Sequence, residues 1–156
     1  SARYSINYNS YSNVKNISFC GAHVSFDCIF KSLENLEYKS NTTIDDSFKP
    51  EIQVFSSCEK LQKVVLPFEC TSIPNRAFKN CVNLKTVEFT PCVNSYSNKS
   101  LIIDNEAFYN CYSLSSILIP ASISTIGKRA FMNCTKLKHV EFGNRKVLSK
   151  NKTIIH

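Results

Sequence analysis

Eight cysteines and three histidines are the residues of this 156-residue chain whose types could do chemistry. Cysteine in such number invites a disulfide framework, a zinc site or a thiol nucleophile. The spacing favours none of these. Cys58, Cys81, Cys111 and Cys134 are separated by 23, 30 and 23 residues, and the chain has no C-x-x-C pair. Such steps suit neither a zinc finger nor a zinc ribbon. Cys20, Cys28, Cys70 and Cys92 lie outside the series. In an oxidising compartment Cys20 could bridge Cys28, or Cys70 could bridge Cys92. The spacing sets no Ser, Cys or carboxylate beside His23, His139 or His156 as a triad would require. With 3 glycines there is no phosphate-cradling loop, and Asp45-Asp46 reads as a solvated turn. The sequence therefore leads us to expect no catalytic constellation, no metal and no cofactor.

The cysteine series belongs to a longer repeat. Cys58-Glu59-Lys60-Leu61-Gln62-Lys63-Val64-Val65-Leu66-Pro67 aligns with Cys81 to Phe89, with Cys111 to Pro120, and with Cys134 followed by Leu137, Val140 and Phe142. Each fits C-x-x-L-x-x-[VI]-x-[LIF]. Ahead of the cysteines, Ala77-Phe78-Lys79-Asn80 matches Ala107-Phe108-Tyr109-Asn110 and Ala130-Phe131-Met132-Asn133, each with an Ile four residues before the Ala. The 30-residue step carries seven extra residues, in the polar stretch Pro91 to Ser100. Weaker copies run upstream. Val54-Phe55-Ser56-Ser57-Cys58 is a degenerate A-F-x-x-C, although Ser47-Phe48 competes for its slot. Ile29-Phe30-Lys31-Ser32-Leu33 with Leu36 reads as another copy, with Leu33 in the cysteine slot. Val14 to Phe19 repeats the Leu84 to Phe89 segment.

A 23-residue unit of this kind cannot bury its apolar side chains alone, whereas stacked units can. Alternation places Val87 and Phe89 inward and Thr86 and Glu88 outward on a strand. Proline, lacking an amide donor, closes most strands. Ala-Phe-x-x-Cys fits one short helical turn, and Phe30, Phe55, Phe78, Phe108 and Phe131 are expected to stack as a core spine. The four series cysteines are expected to line up as buried thiols. The pattern resembles the BspA-like (Treponema pallidum type) leucine-rich repeats, strongly from Cys58 to Phe142 and back to Val14 in weaker form. That resemblance implies an α/β repeat solenoid, a right-handed superhelix with a parallel β-sheet face and about five coils. The expected organisation is a single domain over 1–156, with regular repeats at 58–142, degenerate ones at 14–57 and a C-terminal cap or tail at 143–156. If neither end caps the stack, the chain is part of a longer array.

The resemblance further implies an adhesive or ligand-binding protein of the cell surface with a protein partner, such as a host or extracellular-matrix protein. The expected docking slots on the strands are Gln62, Lys63 and Val65; Lys85, Thr86 and Glu88; Ser115, Ser116 and Leu118; and Lys138, His139 and Glu141. Tyr96 and Asn98 in the inserted loop form a second candidate. Two alternatives stay open. An intracellular scaffold would use the same face, and unpaired cysteines in most coils fit a reducing compartment slightly better. The net charge of +7, dense only from Lys136 to Lys152, could serve a polyanion, but Glu88 and Glu141 argue against nucleic acid on the strand face. Asn16, Asn41, Asn98, Asn133 and Asn151 begin N-x-S/T sequons without establishing secretion. No apolar run is long enough to span a membrane, and residues 1–11 do not read as a signal peptide.

Overall fold

The computed structural model describes residues 14–19, 32–38, 55–68, 70–90, 100–143 and 154–155. Six strands form one parallel sheet: β1 (Asn16–Phe19), β2 (Asn35–Tyr38), β3 (Lys63–Leu66), β5 (Thr86–Phe89), β7 (Ser116–Ile119) and β9 (His139–Phe142). Their register reproduces the sequence period. Lys63 pairs with Thr86, Thr86 with Ser116, and Ser116 with His139. Across the seven-residue insertion β5 and β7 still pair in the repeat register, through Thr86 with Ser116 and Val87 with Ile117; residues 91–99 lie outside the described residues. Apolar side chains alternate inward as expected: Val64, Leu66, Val87, Ile117 and Ile119 are buried.

A second parallel sheet, not expected from the sequence, forms from β4 (Ser72–Ile73), β6 (Leu101–Ile103), β8 (Ile123–Ile126) and β10 (Ile154–Ile155), in the order β10-β8-β6-β4. It brings the isoleucines before each Ala-Phe into register, Ile73 beside Ile103 and Ile103 beside Ile126.

The Ala-Phe-x-x-Cys segments are not helical turns, and the described residues contain no helix. Left-handed residues bracket each segment: Arg76 and Asn80 (φ 61° and 61°), Glu106 and Asn110 (54° and 62°), Arg129 and Asn133 (56° and 63°). Only three residues separate each pair, too few to close an i to i−4 hydrogen bond. The local bonds instead span three residues, as in Lys79 N–H to Arg76 C=O and Cys81 N–H to Phe78 C=O. The freed backbone groups bond from coil to coil. Phe78 N–H donates to Ala107 C=O and Phe108 N–H to Ala130 C=O, both at 2.8 Å. Asn80 N–H donates to Tyr109 C=O and Asn110 N–H to Met132 C=O.

The expected spine is present over its described part. Phe55, Phe78, Phe108 and Phe131 stack with centroids 6.2, 5.4 and 5.2 Å apart and rings nearly parallel. Position 30 lies outside the described residues. Phe55, not the competing Ser47-Phe48, fills the third coil's slot.

Two upstream expectations are corrected. Leu33 does not take the cysteine slot: Asn35 pairs with Lys63, which puts Leu33 in line with Leu61 and Leu36 with Val64. The backbone pairing decides this, because Glu34 C=O accepts from Gln62 N–H as Gln62 C=O accepts from Lys85 N–H. And the main sheet has six strands among the described residues where about five coils were expected, since Val14 to Phe19 joins it as a full member.

Asparagine is the residue that suits the left-handed slot, because L-residues pay a steric penalty there and Asn pays least after Gly. Here it does more. Asn133 Nδ2 donates to Asn110 Oδ1, and Asn110 Nδ2 donates to Asn80 Oδ1, both at 2.8 Å, forming a side-chain ladder along the stack. Replacing Asn110 with Gly keeps the backbone conformation and removes the ladder; replacing it with Ala removes the ladder and adds the steric cost. Both variants should be less stable in urea denaturation, with Asn110→Ala below Asn110→Gly by about 0.5–1 kcal/mol. Equal stabilities would show that the φ constraint is not what selects Asn.

Candidate binding surface

Side chains on the outward face of the six-stranded sheet fall into three rows that cross the strands. At the strand entrances stand Lys15, Glu34, Gln62, Lys85, Ser115 and Lys138, placed by a continuous chain of backbone bonds from coil to coil. The Lys15 ammonium lies 3.2 Å from the Glu34 carboxylate, and Lys85 Nζ donates to Gln62 Oε1 at 3.0 Å. A middle row runs Asn16, Asn35, Lys63, Thr86, Ser116 and His139. Asn35 Nδ2 donates to Asn16 Oδ1 at 2.7 Å. The third row reads Glu37, Val65, Glu88, Leu118 and Glu141: Glu37 pairs with Val65, Val65 with Glu88, and Leu118 with Glu141, while Glu88 and Leu118 follow the paired Val87 and Ile117.

Of the twelve residues expected from the sequence, eight lie in the outward slots of these strands and four, Gln62, Lys85, Ser115 and Lys138, at the strand entrances. Gln62, Lys63, Val65 and Thr86 are half-buried and the rest exposed. Leu118 is 52% exposed, which is unusual for leucine in a strand whose neighbours Ile117 and Ile119 are buried. Lys63 and Glu88 form an exposed ion pair at 2.9 Å, of the sort that adds little stability. Tyr96 and Asn98 lie outside the described residues.

Sequence reasoning missed the first two strands' share of the face, Asn16, Asn35 and Glu37. The signal was available: Leu33-x-x-Leu36-x-Tyr38 fits the strand half of the repeat once Leu33 is read in the leucine slot. Beneath these residues an open depression of about 520 Å³ runs over β1–β3, lined by Asn16, Ile17, Asn35, Leu36, Glu37, Lys63 and Val65.

The turn side carries a charged cluster that no sequence pattern flagged. Glu106 Oε2 accepts from Arg76 Nε at 3.0 Å and from Lys79 Nζ at 2.8 Å, and Lys79 also sits 4.8 Å from the Tyr109 ring centre. The hydrogen bonds from Lys79 and then Arg76 hold the Glu106 carboxyl below its ordinary range.

The cysteine column is core. Cys81, Cys111 and Cys134 each donate the thiol proton to the Phe carbonyl one coil back, at 3.2 Å, and that same carbonyl accepts the backbone N–H of its own coil's cysteine. Cysteine thus fills a small apolar slot while satisfying a second lone pair. Burial pushes the Cys111 thiol far above the ordinary thiol range and Cys134 up to about 11. Cys70 is also a buried thiol, whereas positions 20, 28 and 92 lie outside the described residues. Among the described residues no three His, Cys, Asp or Glu side chains converge as a metal site.

The family model described as BspA type leucine rich repeat region matches residues 3–101 and 101–153, in six copies. The chain belongs to the BspA-type leucine-rich repeat family. A crystal structure of a leucine rich cell surface protein from Faecalibacterium prausnitzii A2-165 shares this fold, with a TM-score of 0.54 and 20% identity over 86% of the present chain. The chain spans 40% of that protein's length. A search of curated proteins finds no match. Among the described residues no helix is long and apolar enough to cross a membrane.

Two measurements check the electrostatics of this BspA-type domain. Pairing depresses the Glu106 pKa, so its stabilisation is complete above the ordinary carboxylate range (about 4.3) and is lost as pH falls through the depressed value. Glu106→Gln should therefore lower the melting temperature at pH 7 and match the parent at pH 2. A deficit unchanged at pH 2 would mean that packing, not charge, is lost. At pH 8 a thiol reagent, followed by site-resolved mass spectrometry, should leave Cys111 and Cys134 unmodified until urea unfolds the chain.

Proposed function

We propose that this BspA-type domain is a protein-recognition module, displayed at the cell surface as an adhesin or ligand-binding protein, whose docking surface is the outward face of the six-stranded sheet. The observation that carries this reading is the exposed Leu118 set among polar neighbours in register. An apolar side chain held rigidly on a hydrogen-bonded strand is the kind of anchor around which interface energy concentrates. Val65 extends that apolar character two strands away, and Ser116, Thr86 and His139 supply hydrogen-bonding groups beside it. The inner strands are held on both sides by backbone bonds, so a partner orders little backbone on docking. Surface display draws support from the family and from the structural neighbour, a cell surface protein. The buried thiols do not oppose it: a thiol that never ionises near neutral pH survives in an oxidising compartment as well as in a reducing one. Glu37, Glu88 and Glu141 on the face disfavour a polyanion there.

The test is plate binding of the purified chain to a panel of extracellular-matrix and cell-surface proteins in 0.5 M salt. Binding should persist at that ionic strength and fall at least tenfold, a loss of about 1.4 kcal/mol or more, in the Val65→Ala/Leu118→Ala/His139→Ala variant, with its melting temperature little changed. Undiminished binding by that variant would sink the strand-face reading. Binding that vanishes in salt would point to charge alone.

A further inference from the structure

The third row of the sheet face has a regularity that goes beyond a generic docking surface. Across five adjacent strands it alternates acid, apolar, acid, apolar, acid: Glu37, Val65, Glu88, Leu118, Glu141. No basic residue stands in it. Neighbouring strands lie about 4.8 Å apart, so successive carboxylates repeat at about 9.6 Å. That is too far for two of them to share one cation, and each must take its own. Resting on the sheet-face reading above, we infer that this row receives an extended cationic segment of a partner protein in the polyproline II conformation, with Lys or Arg at every third residue.

The geometry selects that conformation. Polyproline II rises about 3.1 Å per residue with three residues per turn, so residues i, i+3 and i+6 lie on one ridge about 9.3 Å apart. A segment laid across the strands thus meets Glu37, Glu88 and Glu141 with three successive basic side chains and stays in step over the whole row. A β-strand does not: its same-face residues repeat at about 6.6 Å. An α-helix repeats a face at about 5.4 Å per turn. With two of its three ridges turned towards the sheet, the segment sets its basic ridge along the carboxylates and the adjoining ridge beside Val65 and the 52% exposed Leu118, which suit the ring of a proline. The segment arrives already extended, so little conformational entropy is lost on docking. Glu88 is held meanwhile by Lys63 at 2.9 Å in an exposed pair, which an incoming cation can displace.

Fluorescence anisotropy with two labelled dodecapeptides tests this. One is four repeats of Lys-Pro-Pro; the other has the same composition with the four Lys in a block. The periodic peptide should bind the parent chain about tenfold tighter than the block peptide at 0.15 M salt. Glu37→Gln/Glu88→Gln/Glu141→Gln, confirmed folded by its melting curve, should abolish that difference. Leu118→Asn should weaken the periodic peptide, and Lys63→Ala should tighten it by freeing Glu88. Equal binding of the two peptides, or an undiminished preference in the three-glutamine variant, overturns the inference. A matrix protein that needs Val65, Leu118 and His139 yet binds the three-glutamine variant unchanged overturns it too, and leaves the sheet-face reading standing.

Discussion

The rest of the structure depends on one requirement, that each coil hand its backbone hydrogen bonds to the next. A coil of about 23 residues is too short to satisfy its own amides and carbonyls, and unpaired ones would be costly in a core this dry. Two parallel sheets serve two sides of the stack. On the third side the described residues form no strand, and the left-handed residues turn the chain so that Phe78, Lys79, Tyr109 and their equivalents still bond to the neighbouring coil. The choice of side chains at this corner follows. Asn tolerates the left-handed backbone and links to the next Asn, Cys offers a donor to a carbonyl with one lone pair still unfilled, and Ala leaves room for the Phe ring above. Four residue types in one short segment answer to a single need.

That is why so much of the fold was legible in the sequence, and why the misreadings have a common cause. The strand period, the inward alternation, the phenylalanine spine and the cysteine column are all fixed by side chains that face the next coil, so they recur in type. The second sheet was not legible because its strands are two to four residues long and expose residues as different as Ser72 and Ile102. Such short stretches carry one recognisable inward Ile and no alternation to speak of. The expected helical turn failed because local propensity says little about a segment whose backbone bonds leave the coil. Leu33 was misplaced because leucine serves two slots equally well by burial, and only the pairing of Asn35 with Lys63 separates them.

The face itself was legible residue by residue over β3, β5, β7 and β9, but not as rows. A row is made of residues 19 to 30 positions apart, and its chemistry emerges only when the register is known. Val65 and Leu118 look like isolated apolar residues on outward strand positions. Once in register they alternate with three carboxylates, while Lys15, Lys85 and Lys138 stand at the strand entrances and Lys63 in the middle row beside Glu88. The overall positive charge of the chain says nothing of this local acidic row. Net charge describes how the chain as a whole behaves in solution, whereas docking is decided by which charges share a row.

The stack also explains where apolar surface remains exposed. Val140 and Phe142 occupy inward slots whose counterparts Ile117 and Ile119 are buried, yet they are 42% and 47% exposed. They differ only in position, on the last strand of the main sheet, with a neighbouring coil on one side among the described residues. Leu118 is another matter, since it lies on an outward slot with strands on both sides of it. Its exposure does not come from lying at the edge of the sheet. The two kinds of exposed apolar residue therefore have different physical origins: at β9 an inward slot with a described neighbour on one side only, at β7 an outward side chain that no coil of this register could cover. Only the second is free for a partner however far the repeats extend, so Leu118, and not Val140 or Phe142 at the end of the sheet, is the anchor suited to recognition.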